Sequence, residues 1–174
     1  MKKLSIIILT GLIGLLFIGE ANAQLTKAGV GLMYGSEIEQ LGLRGDLTYQ
    51  VNEEFSIVGD LGIYLPDKTD LGNGNELTIT WWELNANAHY QFYIDEAEEF
   101  TAYGLGGLNL TNVRVKADGP NVGSGTESDS EIGLNLGAGA EYQLDFAKLF
   151  GELKFVVGSD AEQLNLAVGL RFDI

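Results

Sequence analysis

The chain has 174 residues, among them no cysteine, two prolines, one histidine and only ten basic side chains. Without cysteine there is no disulfide framework, no thiolate nucleophile and no thiolate metal centre. Twenty-five acidic residues against the ten basic ones give a formal charge of −15. A nucleic-acid partner needs a basic face, so none is expected. Beyond residue 23 no stretch reaches 18 consecutive apolar residues, and none keeps the i, i+3, i+4, i+7 spacing of an amphipathic helix for three turns. Membrane-spanning and surface helices are thereby excluded from this part of the chain. What is abundant is glycine, with 24 residues.

The one long apolar run is at the start. Met1, Lys2 and Lys3 form a positive n-region, Leu4 to Ile18 is almost uninterruptedly apolar, and Ala21-Asn22-Ala23 is a small-x-small cleavage pattern. This reads as a secretory signal peptide, residues 1–23, cut before Gln24, because its apolar core is shorter than the roughly 20 residues that a spanning helix needs. One domain is then expected over residues 24–174. It retains eight basic and twenty-four acidic residues, a net charge of −16.

Period two pervades this domain. From Leu41 to Val51, Leu41, Leu43, Leu47, Tyr49 and Val51 hold one parity, whereas Arg44, Asp46, Thr48 and Gln50 hold the other. A strand points successive side chains to opposite faces, so the pattern is one apolar and one polar face. The same alternation recurs in eight segments, the last being Leu164 to Ile174. At Trp81-Trp82 the phase of the fourth segment slips, which suggests a β-bulge. The links after segments two, four and six are short. Those after three (66–76) and five (116–131) are long and rich in Gly, Asn, Asp and Ser, and they read as loops that share one end of the molecule.

Alternation alone is compatible with a soluble barrel, apolar within, or a membrane barrel, apolar without. Three features favour the second. The polar parity is crowded with glycine and small residues, as a narrow lumen requires. It also carries charges of both signs: Arg44, Lys154 and Arg171 with Asp46, Asp60, Glu83, Glu141, Glu152 and Asp173. Burial makes unpaired charge costly, so Arg44, Lys154 and Arg171 are expected to pair with several of Asp46, Asp60, Glu83, Glu141 and Glu152 in a lumen network that also holds His89. Finally, Tyr49, Phe55, Tyr90, Phe92, Phe100, Tyr142 and Phe172 all fall near the strand ends beside the short links, as an interfacial aromatic girdle would, with Tyr34 and Trp82 near the opposite rim. The fold expected is all-β, an eight-stranded antiparallel up-and-down transmembrane barrel.

The leader, the eight alternating segments, the asymmetry of links and the closing stretch Leu164-Asn-Leu-Ala-Val-Gly-Leu-Arg-Phe-Asp-Ile174 resemble the small outer-membrane β-barrel proteins of the OmpA/OmpX and porin-like type. The resemblance covers the whole domain and implies a Gram-negative outer membrane, with termini and short turns in the periplasm and long loops outside. It further implies contact with outer-membrane lipid and lipopolysaccharide, and recognition of the last strand by the barrel-assembly machinery. Phe172 is third from the end here, and the chain closes on Ile174, where the family more often has Phe.

Catalytic and ligand signals are sparse. His89 shares its face with Glu83, Asn85, Asn87 and Gln91; a general base beside Glu83 is conceivable, but no G-x-S-x-G motif accompanies it, and a hydrogen-bonded lumen residue is the plainer reading. The run from Asp67 to Glu76 is rich in oxygen ligands, yet its spacing fails the EF-hand pattern, so a solvated loop is expected. No catalytic, metal or cofactor set is expected. The favoured function is a monomeric, non-enzymatic envelope or surface-interaction barrel with a closed polar lumen. The alternatives are a soluble lipocalin-like carrier of an apolar ligand and an outer-membrane lipid-modifying enzyme.

Overall fold

The computed structural model describes residues 24–93, 99–120, 123–158 and 162–174; the proposed leader, 1–23, lies outside them. The described residues form nine strands: β1 (Gln24–Gly35), β2 (Gln40–Gln50), β3 (Phe55–Tyr64), β4 (Asp67–Gly72), β5 (Asn75–Tyr93), β6 (Phe100–Asp118), β7 (Gly125–Gln143), β8 (Lys148–Val157) and β9 (Gln163–Asp173). The sheet order is β3-β2-β1-β9-β8-β7-β6-β5-β4, and β3 also pairs with β5. That last pairing closes eight antiparallel staves into a barrel and leaves β4 as a side arm on β5. Closure gives every stave two neighbours, which satisfies backbone N–H and C=O groups where no water can.

Burial is inverted relative to a soluble domain. Eight hydrophobic residues are buried against twenty-one polar or charged ones, while thirty large hydrophobic residues are exposed. Strand β3 shows the pattern plainly: Phe55, Ile57, Leu61 and Ile63 point outward, and Ser56, Asp60 and Tyr64 point inward. An apolar interior, which a lipocalin-like carrier would need, is thus missing.

The short turns gather at one end with both ends of the described domain. Between β2 and β3, Asn52 Oδ1 accepts hydrogen bonds from the backbone N–H of Glu54 (2.9 Å) and Phe55 (2.8 Å), an Asx turn that reverses the chain. At the other end the sequence expectation of two long loops is corrected. Residues 66–76 form a hairpin, with Asp67 opposite Ile79 and Asp70 opposite Glu76, and its tip uses Gly72, Asn73 and Gly74 at positive φ. Strands β6 and β7 likewise continue paired as far as Ala117 and Gly125. Turn-forming residues at the tips concealed short strands that lean on long neighbours.

The bulge expected at Trp81-Trp82 is absent as well. Strands β5 and β6 stay in unbroken register from Glu76/Asp118 to Tyr93/Thr101. The slip has another cause: below Trp82 the outward parity is apolar (Leu84, Ala86, Ala88, Tyr90), whereas above it that parity reads Thr80, Thr78, Glu76 and the inward one reads Trp81, Ile79, Leu77. The backbone runs straight, and its surroundings change from hydrocarbon to water. From Trp82 to Phe92 the strand covers about 34 Å at about 3.4 Å per residue, or about 26 Å along the membrane normal at a tilt of about 40°, which matches the apolar band of outer-membrane barrels.

Candidate functional site

Below the mouth, the lumen is filled by a continuous ionic network. Near the short-turn end Lys27 Nζ lies 2.9 Å from Glu141 Oε2. The other oxygen of Glu141 is 2.6 Å from Arg171 Nη1. Arg171 also donates from Nε to Asp46 Oδ1 at 3.0 Å and from Nη2 to Asp46 Oδ2 at 3.1 Å, a bidentate fork. Arg44 bonds Glu152 through Nη1 and sits 3.3 Å from Asp60 Oδ2 through Nη2. Higher still, Lys154 Nζ lies 3.1 Å from Glu83 Oε1 and 3.7 Å from Asp60 Oδ1. The buried set holds four cations and five carboxylates, close to neutral, as low-dielectric surroundings demand.

Neutral side chains occupy the space between the charges. Phe150 is fully buried, with the Arg171 guanidinium 4.2 Å and the Arg44 guanidinium 5.5 Å from its ring centre. Tyr103 Oη donates to Glu152 Oε2 at 3.0 Å, and Tyr64 Oη reaches Glu83 Oε2 at 3.2 Å and Asn165 Oδ1 at 2.9 Å. Asparagines finish the plug: Asn85 Nδ2 donates to Asp60 at 2.7 Å, Asn87 Nδ2 to Asp60 at 3.1 Å, and Asn109 Nδ2 to Asn85 at 2.8 Å. Glycine makes room for these groups. A Cβ on Gly139 would collide with the Tyr103 ring, and one on Gly29 with Asp46 and Arg171.

Of the sequence-selected residues, Arg44, Asp46, Asp60, Glu83, Glu141, Glu152, Lys154 and Arg171 therefore meet in one network. Asp173 does not join them: it is exposed at the rim. His89 is buried, and its Nε2 has no hydrogen-bond partner among the described residues. It stacks on Tyr103 with ring centres 4.5 Å apart. Nor does Glu83 attend it: the two stand about 20 Å apart along β5 at about 3.3 Å per residue, and Glu83 is engaged by Lys154, Asn165 and Tyr64. Ser56 faces His89 across the β3–β5 pair, and both are 2% exposed inside the barrel.

Sequence reading missed Lys27, Tyr64, Tyr103, Phe150 and the asparagines as partners. Lys27 shares the inward parity of Gly29 and Gly31, a signal strong enough to have found it. The Tyr and Phe residues occupy inward positions too, but an aromatic on the polar parity carries no signature of the cation it will meet.

On the outside, Phe55 and Tyr90 are cross-strand partners with rings 4.9 Å apart, and Tyr90 and Phe92 are edge to face at 4.8 Å. Phe100 faces Tyr142 across β6–β7, and the Tyr142 hydroxyl donates to Glu99. Tyr49 and Phe172 complete this belt beside the short turns, on β2 and β9. At the opposite end, the arms bear paired surface charges. Lys116 Nζ and the Ser124 hydroxyl both contact Asp118 and hold its carboxyl below the usual carboxylate range. The oxygen-rich run 67–76 assembles no group of three metal-ligating side chains, nor does any other place among the described residues.

A closed barrel with a hydrocarbon-compatible wall, an aromatic belt and a salt-bridged interior defines an integral β-barrel membrane protein. The chain belongs to the family described as outer membrane protein beta-barrel domain, whose model matches residues 9–172, and this places it in the outer membrane of the Gram-negative type. Among solved structures it is similar to a major outer membrane protein from Thermus thermophilus (14% identity, 87% of this chain and 100% of that one, TM-score 0.65). It is similar too to the N-terminal β-barrel domain of Pseudomonas aeruginosa OprF (14% identity, 88% and 100%, TM-score 0.60). Neisserial surface protein A shares the fold as well (16% identity, 88% and 100%, TM-score 0.57). No curated protein matches the chain.

Proposed function

We propose that this chain is a non-enzymatic, monomeric outer-membrane barrel that uses a closed lumen as a rigid anchor for strand arms held outside the cell. The observation that carries the reading is the unbroken ionic chain from Lys27 to Glu83, which leaves the interior to its own side chains. An eight-stranded barrel is about wide enough to be filled in this way. Structural use of the interior also supports a non-catalytic role, since its one histidine and the facing serine are walled off from lipid. Sec-type export is followed by signal cleavage near Ala23, and the assembly machinery reads β9.

Outside, the arms and turns carry Glu37, Glu39, Asp67, Asp70, Asp118, Glu127, Asp129, Glu131 and Glu162; Asp160, in the same link as Glu162, lies outside the described residues. This acidic surface suits contact with lipopolysaccharide bridged by divalent cations, because phosphate and carboxylate both favour such ions. An epitope inserted at Gly123, between β6 and β7, tests the presentation. Antibody should label intact cells; labelling that appears only after the outer membrane is permeabilised would refute the outward orientation.

A further inference from the structure

Beyond the lipid-facing band, β4, β5, β6 and the upper part of β7 continue as one sheet. Strand β8 pairs with β7 no higher than Leu134/Val157, and β4 ends the strand order, so this sheet has two free edges. Its outward face is polar, as water on that side requires, with Lys68 3.6 Å from Glu76 and Lys116 3.1 Å from Asp118. Its inward face is built otherwise. Residues directly opposite in an antiparallel ladder share one face, and one rung across all four strands reads Asp67, Ile79, Val115, Glu127. Next to it, on the barrel side, Trp81, Val113 and Asp129 form a second rung. The middle strands thus carry a half-buried apolar strip, continued toward the tips by Leu77, and carboxylates stand on both sides of it. Asp67, Glu127 and Asp129 are exposed and enter no salt bridge among the described residues. The cations of these strands, Lys68, Arg114 and Lys116, all belong to the outward face.

An occupant of this strip has to be apolar where it meets Ile79, Val115 and Trp81 and positive where it meets the flanks. Spacing selects its shape. Three strand gaps put Asp67 and Glu127 about 14 Å apart, and a helix with its side chains is about 10–12 Å across. A helix laid along β5 and β6 fits between the two acidic flanks, and lysine or arginine stems on its sides reach outward to both. An apolar stripe bordered by basic residues is the pattern of a cationic amphipathic helix. A second copy of the chain complements the strip poorly, because it would set carboxylates against carboxylates.

We infer that the inward face of the arms is a docking surface for a cationic amphipathic helical peptide. The inference rests on the arm sheet alone, so its failure is separable from that of the closed lumen or of the contact with lipopolysaccharide. The refolded chain 24–174 in phosphatidylcholine nanodiscs, at low salt and without divalent cations, is titrated with a fluorescent leucine–lysine peptide whose leucines share one helical face. Empty nanodiscs supply the blank, and a leucine–glutamate peptide of the same pattern and a scrambled leucine–lysine peptide are the controls. The patterned leucine–lysine peptide should bind at least about tenfold more tightly than either control or the blank. Ile79→Ser/Val115→Ser should weaken it by at least about tenfold. Asp67→Asn/Glu127→Gln should weaken it by about fivefold and flatten its salt dependence. Glu76→Gln/Asp118→Asn removes the same charge from the outward face and should leave affinity unchanged. Unheated gel mobility verifies that each variant keeps the barrel, and the two charge pairs leave the apolar strip itself intact. Binding no tighter than to empty nanodiscs, equal binding of the glutamate peptide, equal losses in the two charge pairs, or full affinity in folded Ile79→Ser/Val115→Ser would each overturn the assignment. So would association of two copies through this face that shuts the peptide out.

Discussion

Arg171 shows how much one lumen residue holds. Its guanidinium joins Asp46, Glu141 and the face of Phe150 and is 1% exposed. Replacing it with methionine keeps much of the volume and strands two carboxylates away from water. Breaking a buried ion pair from one side costs about 3–5 kcal/mol, so Arg171→Met should lower the urea midpoint of the lipid-refolded barrel substantially. The double replacement Arg171→Met/Asp46→Leu should recover part of the loss, because it removes a carboxylate that the single variant leaves unpaired. Gly139 poses the opposite problem, lack of room. Alanine there meets the Tyr103 ring and hydroxyl and the backbone carbonyl of Gly151, and overpacking of this kind costs about 1–3 kcal/mol; Gly139→Ala should therefore unfold earlier in urea than the parent chain.

At the scale of the element, each long strand is two environments joined end to end. Strand β5 presents apolar side chains to lipid from Leu84 to Phe92 and polar ones to water from Glu76 to Thr80. Leu108, 47% exposed and paired with Ala86, sits on the lipid-facing part. An arginine there costs about 2–4 kcal/mol near the bilayer midplane, and Leu108→Arg should lower refolding stability in vesicles by that order while Thr80→Arg changes it little. Replacing the β4–β5 arm, 66–76, with a tight turn should leave the heat-modifiable barrel intact, since β3 and β5 pair directly from Phe55/Tyr90 to Ile63/Trp82.

The staves and their facing were legible in sequence because a two-residue period together with a lipid boundary fixes both. The arms were hidden for a related reason: above Trp82 the apolar parity moves inward, so a search for one constant phase registers a defect where the solvent changes. Charged lumen residues could be named from parity and sign. Their pairings could not, because partners such as Arg171 and Asp46, or Lys154 and Glu83, belong to strands far apart in sequence, and barrel stagger decides which levels meet.

Taken whole, the molecule is a hydrocarbon-coated cylinder whose polar interior pairs its charges within itself, while a few buried polar atoms such as His89 Nε2 stay without a hydrogen-bond partner among the described residues. Such internal pairing predicts behaviour as a unit. Purified barrel should migrate differently on SDS gels with and without boiling, and recovery in the soluble fraction with no such shift would be inconsistent with a membrane barrel. The central claim is that the ionic network from Lys27 to Glu83 closes the lumen. Single-channel recording from purified chain in planar bilayers tests it most directly. Silence, or only rare and brief small openings, is the result predicted; stable, large openings would contradict it.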